Sequence, residues 1–286
     1  MSAMRPDVPP TIAGALGWCR QQLNQSESPA ADSRALLCHL LEKNAAFLMT
    51  WPDRVLSEQQ WQQLQHLVVR RQQGEPVAYL TGQREFWSLP LKVNSSTLIP
   101  RPDTETLVAT ALALSLPADA NVLDLGTGTG AIALALKSER PDWRITAVDN
   151  QVAAVELARE NAQQLRLEIA IYHSDWLAEL DQQRPFDLIV SNPPYIDEHD
   201  PHLQQGDVRF EPASALIAEK QGLADIESIA ERSLPYLKAA GWLLIEHGWQ
   251  QADAVVEVLS QNGYKHVNRW TDYGSVERVT GGQKAG

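Results

Sequence analysis

The run Asn192-Pro193-Pro194-Tyr195 has the residue types and the spacing for chemistry on a planar amino group. It follows residues 186–191, a short apolar segment that is typical of a buried parallel strand. Two consecutive prolines fix φ, lack N–H groups and hold the preceding residue in an extended conformation. We therefore expect Asn192 at the carboxyl edge of a sheet, where open α/β folds bind their ligands.

The Asn-Pro-Pro-Tyr segment offers what a planar –NH2 group needs, namely acceptors for two hydrogens and a flat surface. The side-chain oxygen of Asn192 and the carbonyl of Pro193 are the candidate acceptors, and the ring of Tyr195 is the candidate surface. Asn192, Pro193 and Tyr195 are thus the candidate catalytic residues, and Pro194 joins them in binding the acceptor. A strand followed by a proline-rich turn without any chemical role is the alternative.

A glycine-rich turn lies upstream, between a predicted strand and a predicted helix. Its residues are Gly126, Thr127, Gly128, Thr129 and Gly130. Alternate glycines let the backbone turn tightly and approach a ligand at a helix N-terminus. The next strand ends at Asp149, in the position of a carboxylate that accepts hydrogen bonds from ribose hydroxyls. Because Gly126, Gly128 and Ala131 also satisfy the pattern GxGxxA, an NAD-type ligand stays open.

Two features favour S-adenosylmethionine over a dinucleotide. Asp124 precedes the glycines inside the strand, as in the acidic-x-Gly-x-Gly-x-Gly pattern of methyltransferases. After the third strand, Asp175 offers a carboxylate for an exocyclic amine and Trp176 an aromatic face for an adenine. Trp176 as an ordinary core residue is the alternative.

The turn from Pro100 to Glu105 precedes an apolar helical run. Asp103 or Thr104 would cap that helix, and Glu105 would favour the positive end of its dipole. The other interpretation is that this turn faces the same site as Asn192. Both remain open at the level of sequence.

Strands alternate with helices after Pro117, which predicts a doubly wound, mostly parallel sheet. The predicted strands are residues 121–125, 145–149, 169–173, 186–191 and 242–246. The predicted helices are residues 131–138, 152–164, 223–237 and 252–262. Residues 265–270 and 276–280 follow each other without a long helix, which predicts an antiparallel edge. Before the sheet, apolar residues at helical spacing and a capping box at Ser57 and Gln60 predict a small helical bundle over residues 11–75.

Composition narrows the class of protein. Lys and Arg number 24 and Asp and Glu 36, so the net charge of −12 argues against nucleic acid as a main partner. No segment approaches the length of a membrane span. Cys19 and Cys38 lie in apolar helical patterns, which predicts reduced, buried thiols in a reducing compartment. Since these are the only cysteines, a thiolate zinc site is excluded, and we expect no metal.

Residues 124–130, Asp149 and residues 192–195 resemble the amino-group methyltransferases that carry an Asn-Pro-Pro-Tyr motif. Three further regions restrict this resemblance to one family: the helical N-terminal region, the turn at residues 100–105 and the stretch 204–212. With them the chain resembles the peptide chain release factor glutamine methyltransferases, from about residue 11 to Thr280.

The resemblance implies a Rossmann-like class I methyltransferase domain over residues 99–286. It would be preceded by an all-α domain for substrate recognition at residues 1–78 and a β-hairpin linker at residues 79–98. It implies S-adenosylmethionine bound by the glycine turn, Asp149, Asp175, Trp176 and Asn192. The implied substrate is the glutamine of the Gly-Gly-Gln motif in class I release factors, methylated on N5. The implied setting is a cytoplasmic monomer that contacts neither membrane nor nucleic acid directly.

Two other functions remain open. An N6-adenine methyltransferase acting on DNA or RNA would use the same Asn-Pro-Pro-Tyr segment, although phosphate contacts need clustered Lys and Arg. A non-catalytic S-adenosylmethionine-binding adaptor is the third possibility, and the intact segment around Asn192 argues against it.

Overall fold

The computed structural model describes residues 9–286. The chain divides into two units, of which the first ends at Gly82 and the second begins at Gln83. Each unit has a hydrophobic core of its own. The first eight residues of the predicted all-α domain lie outside the described residues.

The first unit is helical, as predicted. Its described helices are α1 (Ile12–Gln22), α2 (Pro29–Leu41), α3 (Ala45–Thr50), α4 (Glu58–Gln72) and α5 (Val77–Thr81). The predicted capping box opens α4: the Gln60 N–H donates to Ser57 Oγ over 3.1 Å, and the Ser57 N–H donates to Gln60 Oε1 over 2.9 Å. The sequence pattern did not predict α3 and α5, because five or six residues are too few to show helical periodicity.

The first unit contains an aromatic pair and a largely buried ion pair. Trp18 and Trp61 pack edge to face with ring centroids 4.7 Å apart. Arg71 Nε lies 2.8 Å from the largely buried Asp32 carboxylate. Cys19 is a free, fully buried thiol whose pKa is raised to about 12 by burial, so it is an unreactive apolar group.

The second unit begins with the hairpin of β1 (Gln83–Phe86) and β2 (Leu89–Lys92). Phe86 belongs to the main core of this unit, and the Lys92 N–H donates to Asn161 Oδ1 over 2.7 Å. The hairpin is therefore part of the second unit, whereas the sequence assigned residues 79–98 to a linker. Residues 79–81 differ as well, because they complete α5 of the first unit.

Seven strands form the central sheet. They are β3 (Asn121–Leu125), β4 (Arg144–Asp149), β5 (Ala170–His173), β6 (Phe186–Ser191), β7 (Leu237–Glu246), β8 (Lys265–Thr271) and β9 (Glu277–Gln283). The order is β5-β4-β3-β6-β7-β9-β8, and β9 runs antiparallel to both of its neighbours. The predicted mostly parallel sheet with an antiparallel edge is confirmed.

Helices cover both faces of the sheet and form two cores. They are α6 (Glu105–Ala113), α7 (Ala131–Glu139), α8 (Val152–Leu165), the short α9 (Glu219–Gly222), α10 (Ala224–Ser233) and α11 (Ala252–Gln261). The predicted helix at residues 223–237 is shorter than expected. Pro235 lies in a 3₁₀ turn after Ser233, and β7 begins at Leu237 instead of residue 242.

The strand order brings the two sequence motifs together. Strand β3 lies between β4 and β6, so the chain turns to one side of β3 and later returns to the other. This reversal leaves a crevice at the carboxyl ends of β3 and β6, where such sheets bind ligands. Leu125 at the end of β3 pairs with Ser191 at the end of β6, and Ser191 Oγ donates to the Leu125 carbonyl over 2.9 Å.

Candidate active site

An open cleft of about 1020 Å³ lies at the carboxyl edge of the sheet. It is lined by eight of the residues that the sequence predicted for the site: Gly126, Thr127, Gly128, Thr129, Asp149, Trp176, Asn192 and Pro194. Gly130 and Asp175 do not line it, and Pro193 and Tyr195 line a neighbouring cleft. Two motifs separated by about sixty residues in the chain thus meet at one crevice.

The glycine turn is held by the protein's own acceptors. Asp149 Oδ2 accepts from the Gly128 N–H and Oδ1 from the Gln151 N–H, each over 2.9 Å. The N–H groups of Gly126 and Thr127 donate to the Val148 carbonyl. Because these N–H groups have partners inside the protein, the turn does not present them as a cradle for a pyrophosphate. This geometry weighs against the dinucleotide alternative.

Asp124 supports the glycine turn through hydrogen bonds and does not line the cleft. It is fully buried, and its Oδ2 accepts from Thr127 Oγ1 over 2.6 Å and from the Ala133 N–H over 3.3 Å. Burial raises the pKa of Asp124 to about 7, with the hydrogen bonds to Thr127 and Ala133 opposing the shift. The acidic residue of the motif therefore joins the turn to the start of α7.

Trp176 forms a wall of the cleft beside the glycine turn. A Cβ atom on Gly126 would lie 3.1 Å from the Trp176 ring, and Gly126 has φ of +71°, so a side chain there would crowd the indole. Asp175 is exposed and is not among the residues that line the cleft. A carboxylate that does line the cleft is that of Asp225 on α10. Burial raises the pKa of Asp225, and the nearby Asp175 raises it further. The sequence analysis missed Asp225 because nothing in its own helix marks it.

Asn192 is held by a chain of hydrogen bonds from two other elements. Its Nδ2 donates to Thr104 Oγ1 over 3.2 Å, and the Thr104 hydroxyl donates to Glu246 Oε1 over 3.1 Å. Thr104 ends the 3₁₀ turn Pro102–Thr104, and Glu246 ends β7. Of the two interpretations of residues 100–105, the structure therefore supports the one in which the turn faces Asn192.

A second cleft, with a volume of about 740 Å³, also has Asn192 in its lining. Its lining includes Pro193, Tyr195 and the aliphatic side chains Leu98, Ile196, Val208 and Leu216. Arg101 lines both clefts and lies 2.5 Å from Glu211, whose carboxylate is completely buried. Burial raises the pKa of Glu211 while the Arg101 charge opposes that shift. The pair therefore ties the 100–105 turn to the loop that follows the Asn-Pro-Pro-Tyr segment.

Tyr195 is anchored through its main chain. Gln251 Nε2 donates to the Tyr195 carbonyl over 3.0 Å and to the Gln221 carbonyl over 3.1 Å, while Gln251 Oε1 accepts from the Gly248 N–H over 2.8 Å. Burial, and next the neighbouring Glu246, raise the pKa of the Tyr195 phenol, so the ring is neutral at physiological pH. Tyr195 can thus offer an uncharged aromatic surface, not a base.

Two general features of the described residues complete the picture. Within residues 9–286, no group of three or more His, Cys, Asp or Glu side chains could hold a metal ion. In the same range, no helix combines the length and the apolar character that crossing a membrane requires.

Two family models match the chain. The PrmC N-terminal domain matches residues 14–82, and the Methyltransferase small domain matches residues 103–265. The second match covers more than half of the chain and includes the glycine turn, Asp149 and Asn192. The sheet order, the cleft and this match define the second unit as a methyltransferase domain.

The curated relatives extend over nearly the whole chain. The release factor glutamine methyltransferase of Shewanella oneidensis is 54% identical over 96% of this chain and 96% of its own. That of Escherichia coli is 54% identical over 93% of this chain and 97% of its own. The chain belongs to the family of release factor glutamine methyltransferases.

A solved structure supports the fold alone. The catalytic domain of hMettl16, in complex with the MAT2A 3'UTR hairpin 1, has a TM-score of 0.58 and 15% identity, covering 87% of this chain and 93% of its own. At this identity the likeness carries the architecture and no substrate.

Proposed function

We propose that this enzyme transfers a methyl group from S-adenosylmethionine to N5 of the glutamine in the Gly-Gly-Gln motif of class I peptide chain release factors. The observation that carries the proposal is the position of Asn192, which lines both clefts. A methyl donor in the first cleft and an acceptor amide in the second cleft would meet beside its side chain. Membership of the family supports the choice of glutamine and of release factors.

The first cleft suits S-adenosylmethionine by the chemistry of its lining. Asp149 offers carboxylate oxygens at the end of β4 for ribose hydroxyls, and Trp176 offers a face for an adenine. Asp225 offers a carboxylate near that face, in the role that the sequence assigned to Asp175. Bound there, the cofactor would supply a methyl group on a positively charged sulfur.

The second cleft suits an amide. An amide nitrogen is a poor nucleophile because its lone pair is delocalised into the carbonyl. Asn192 Oδ1 and the Pro193 carbonyl would accept the two N–H bonds, and the Tyr195 ring would pack against the amide plane. With its hydrogens held in this way, the acceptor nitrogen would direct its lone pair at the methyl group. As the N–C bond formed, the C–S bond would break to leave a neutral thioether, and one N–H proton would pass to water. Positioning of this kind can contribute roughly 7–11 kcal/mol to lowering a barrier.

The choice of one glutamine among many requires surface away from the reacting atoms. We assign that role to the helical first unit, which carries none of the residues lining the two clefts. Contacts made remotely can also position the amide, because binding energy from distant parts of a substrate can be used at the reacting centre. Such an enzyme would act in the cytoplasm as a monomer, on protein and not on nucleic acid.

The test is methyl transfer from radiolabelled S-adenosylmethionine to three purified acceptors: a class I release factor, DNA and ribosomal RNA. We expect label on the release factor only, located by mass spectrometry on the glutamine of Gly-Gly-Gln. Asn192→Ala should abolish transfer and keep most of the cofactor affinity, since Asn192 is proposed to orient the acceptor. Label on adenine N6 of either nucleic acid would replace the proposal with the alternative substrate. Full turnover by Asn192→Ala would remove the proposed mechanism.

A further inference from the structure

Glu246 and Thr104 are buried polar residues with no part in the chemistry described so far. Glu246 is 1% exposed and Thr104 is 4% exposed. Glu246 Oε1 accepts from the Thr104 hydroxyl, and Glu246 Oε2 has no hydrogen-bond partner among the described residues. Burying a carboxyl group with one oxygen unpartnered is costly, and such an arrangement in a cleft wall calls for an explanation.

The direction of the two hydrogen bonds in this chain explains why Glu246 and Thr104 are buried beside Asn192. A hydroxyl has a single hydrogen, and that of Thr104 is donated to Glu246. Thr104 can then only accept from Asn192, so the group of Asn192 that faces Thr104 must be its NH2. The Asn192 oxygen is consequently the atom left for other partners. A carboxamide is nearly symmetric in shape, and without this chain its oxygen and nitrogen could exchange places.

We propose that Glu246 and Thr104 are positioning residues, which set the Asn192 carboxamide with its oxygen available to accept from the substrate amide. This inference rests on the proposed function, since it assigns a role within the same reaction. A flipped Asn192 would present a donor to the substrate's NH2 group and would repel it. Neither residue needs to touch the reacting atoms.

The groups around Glu246 favour its role as a hydrogen-bond acceptor for Thr104 over a role as the ion-pair partner of a basic side chain. The groups that face it are Thr104, Asn192, Tyr195, Asp103 and Arg278, and Arg278 lies 2.9 Å from the Asp103 carboxylate. Burial raises the pKa of Glu246 to about 8, and Asp103 adds to the shift. The group is therefore mostly protonated at neutral pH, and with the proton on Oε2, the oxygen without a partner, Oε1 still accepts the Thr104 hydrogen.

The three residues come from three separate elements, which makes the arrangement rigid. Thr104 lies directly before α6, Asn192 directly after β6, and Glu246 at the end of β7. Strands β6 and β7 are paired up to Ser191 and Ile245, the residues that precede Asn192 and Glu246. Glu246 accepts the last hydrogen bond of this chain. The pairing of β6 with β7 therefore fixes the distance between Glu246 and Asn192.

The test compares steady-state rates of the full-length enzyme on a class I release factor with calorimetric affinity for S-adenosylmethionine. Thr104→Val keeps the shape and removes the hydroxyl, and we expect kcat to fall about tenfold, the equivalent of about 1.4 kcal/mol. Cofactor affinity should stay within about threefold of wild type on the same argument. Thr104→Ser restores the hydroxyl and should recover most of kcat. Thr110→Val, the same change at a buried threonine of α6 outside the clefts, is the matched control and should leave kcat unchanged.

Glu246→Leu should also lower kcat. The double variant Thr104→Val/Glu246→Leu should be no slower than the slower of the two single variants, because Thr104 and Glu246 act through one chain of hydrogen bonds. Additive losses would overturn the inference, as would an unchanged kcat in Thr104→Val. Wild-type transfer to the release factor tests the proposed function separately.

A readout independent of substrate keeps the inference testable if that transfer fails. The side-chain NH2 resonances of Asn192, assigned with Asn192→Ala, should exchange slowly with solvent in wild type. They should lose protection in Thr104→Val, and equal protection in the two proteins would contradict the inference.

Discussion

At the scale of single residues, the site is built from carboxyl and amide groups whose environments differ sharply. Asp149 makes two hydrogen bonds to main-chain N–H groups at the rim of the cleft. Glu246 is enclosed and keeps one oxygen unpartnered among the described residues. The same functional group is thus proposed to accept hydrogen bonds from a ligand at Asp149, whereas at Glu246 it accepts one from Thr104 inside the protein.

Asp149→Ala should weaken S-adenosylmethionine binding at least tenfold while the protein stays folded. The reason is the proposed pair of hydrogen bonds to ribose hydroxyls, since bonds to a charged group are worth about 1.5–3 kcal/mol each. Isothermal titration calorimetry measures the affinity, and circular dichroism checks the fold. Glu156→Ala, on the exposed face of α8, is the control for the loss of one acidic residue. An unchanged affinity in Asp149→Ala would remove this residue from the cofactor site.

Glu246 should make the stability of the cofactor-free enzyme depend on pH. Its pKa is raised from 4.5 to about 8 in the folded state, so its contribution to stability is fully present below pH 4.5 and is lost as the pH rises through 8. Stability should therefore fall across this window, by up to about 1.4 kcal/mol per pH unit. Glu246→Gln removes the titration, so urea unfolding of the two proteins should diverge between pH 5 and pH 8. Asp124 titrates in both proteins and cancels in the comparison. Parallel stability curves would show that Glu246 does not take up a proton on folding.

At the scale of elements, the Asn-Pro-Pro-Tyr segment is held in place by the loop that packs against it. The short helix α9 ends at Gly222, and Gln251, just before α11, bonds to the carbonyls of Tyr195 and Gln221. The aromatic surface of the second cleft therefore depends on residues that line neither cleft.

Gly222→Ala should displace Tyr195 and lower kcat. A Cβ atom at position 222 would lie 2.0 Å from the Tyr195 carbonyl oxygen, and Gly222 has φ of +82°. We expect a stability loss of about 2–4 kcal/mol, of which about 1 kcal/mol is the backbone penalty and the rest overlap.

Gly206→Ala is the matched control for Gly222→Ala. Gly206 also has a positive φ, of +54°, yet its Cβ would meet nothing within 4 Å. Urea unfolding and turnover of the two variants separate the backbone penalty from the overlap. Equal effects in both variants would show that the approach to Tyr195 is unimportant.

At the scale of the whole molecule, the chain consists of two units with separate cores. All residues that line the two clefts belong to the second unit. The chemistry and the proposed choice of protein substrate are thus assigned to different parts of the chain.

A shortened chain that begins at Gln83 should bind S-adenosylmethionine as the full-length protein does and lose most of its rate on an intact release factor. On a short Gly-Gly-Gln peptide the two proteins should be similarly slow, because the peptide lacks the remote surface that the helical unit is proposed to contact. Measuring kcat/KM for both proteins on both substrates checks this. If the folded, cofactor-binding shortened chain matches the full-length rate on the release factor, the helical unit has another purpose.

The sequence by itself determined the elements and the motifs at their ends. The glycine turn, Asp149 and the Asn-Pro-Pro-Tyr segment could be predicted because each depends on a few consecutive residues and on the strand that precedes them. The mostly parallel sheet followed from the alternation of strands and helices. Element boundaries were weaker where the chain changes direction, as at Pro235 and at the start of the hairpin.

Only the tertiary structure decided which distant side chains meet at those motifs. Thr104 and Glu246 are 142 residues apart, and their hydrogen bond exists because β7 lies next to β6 and α6 begins beside both. Asp225 lines the cleft while Asp175 does not, although Asp175 follows a strand and Asp225 lies inside an ordinary helical pattern. Contacts of this kind depend on strand order and on the placement of helices over the sheet, which local sequence patterns do not encode.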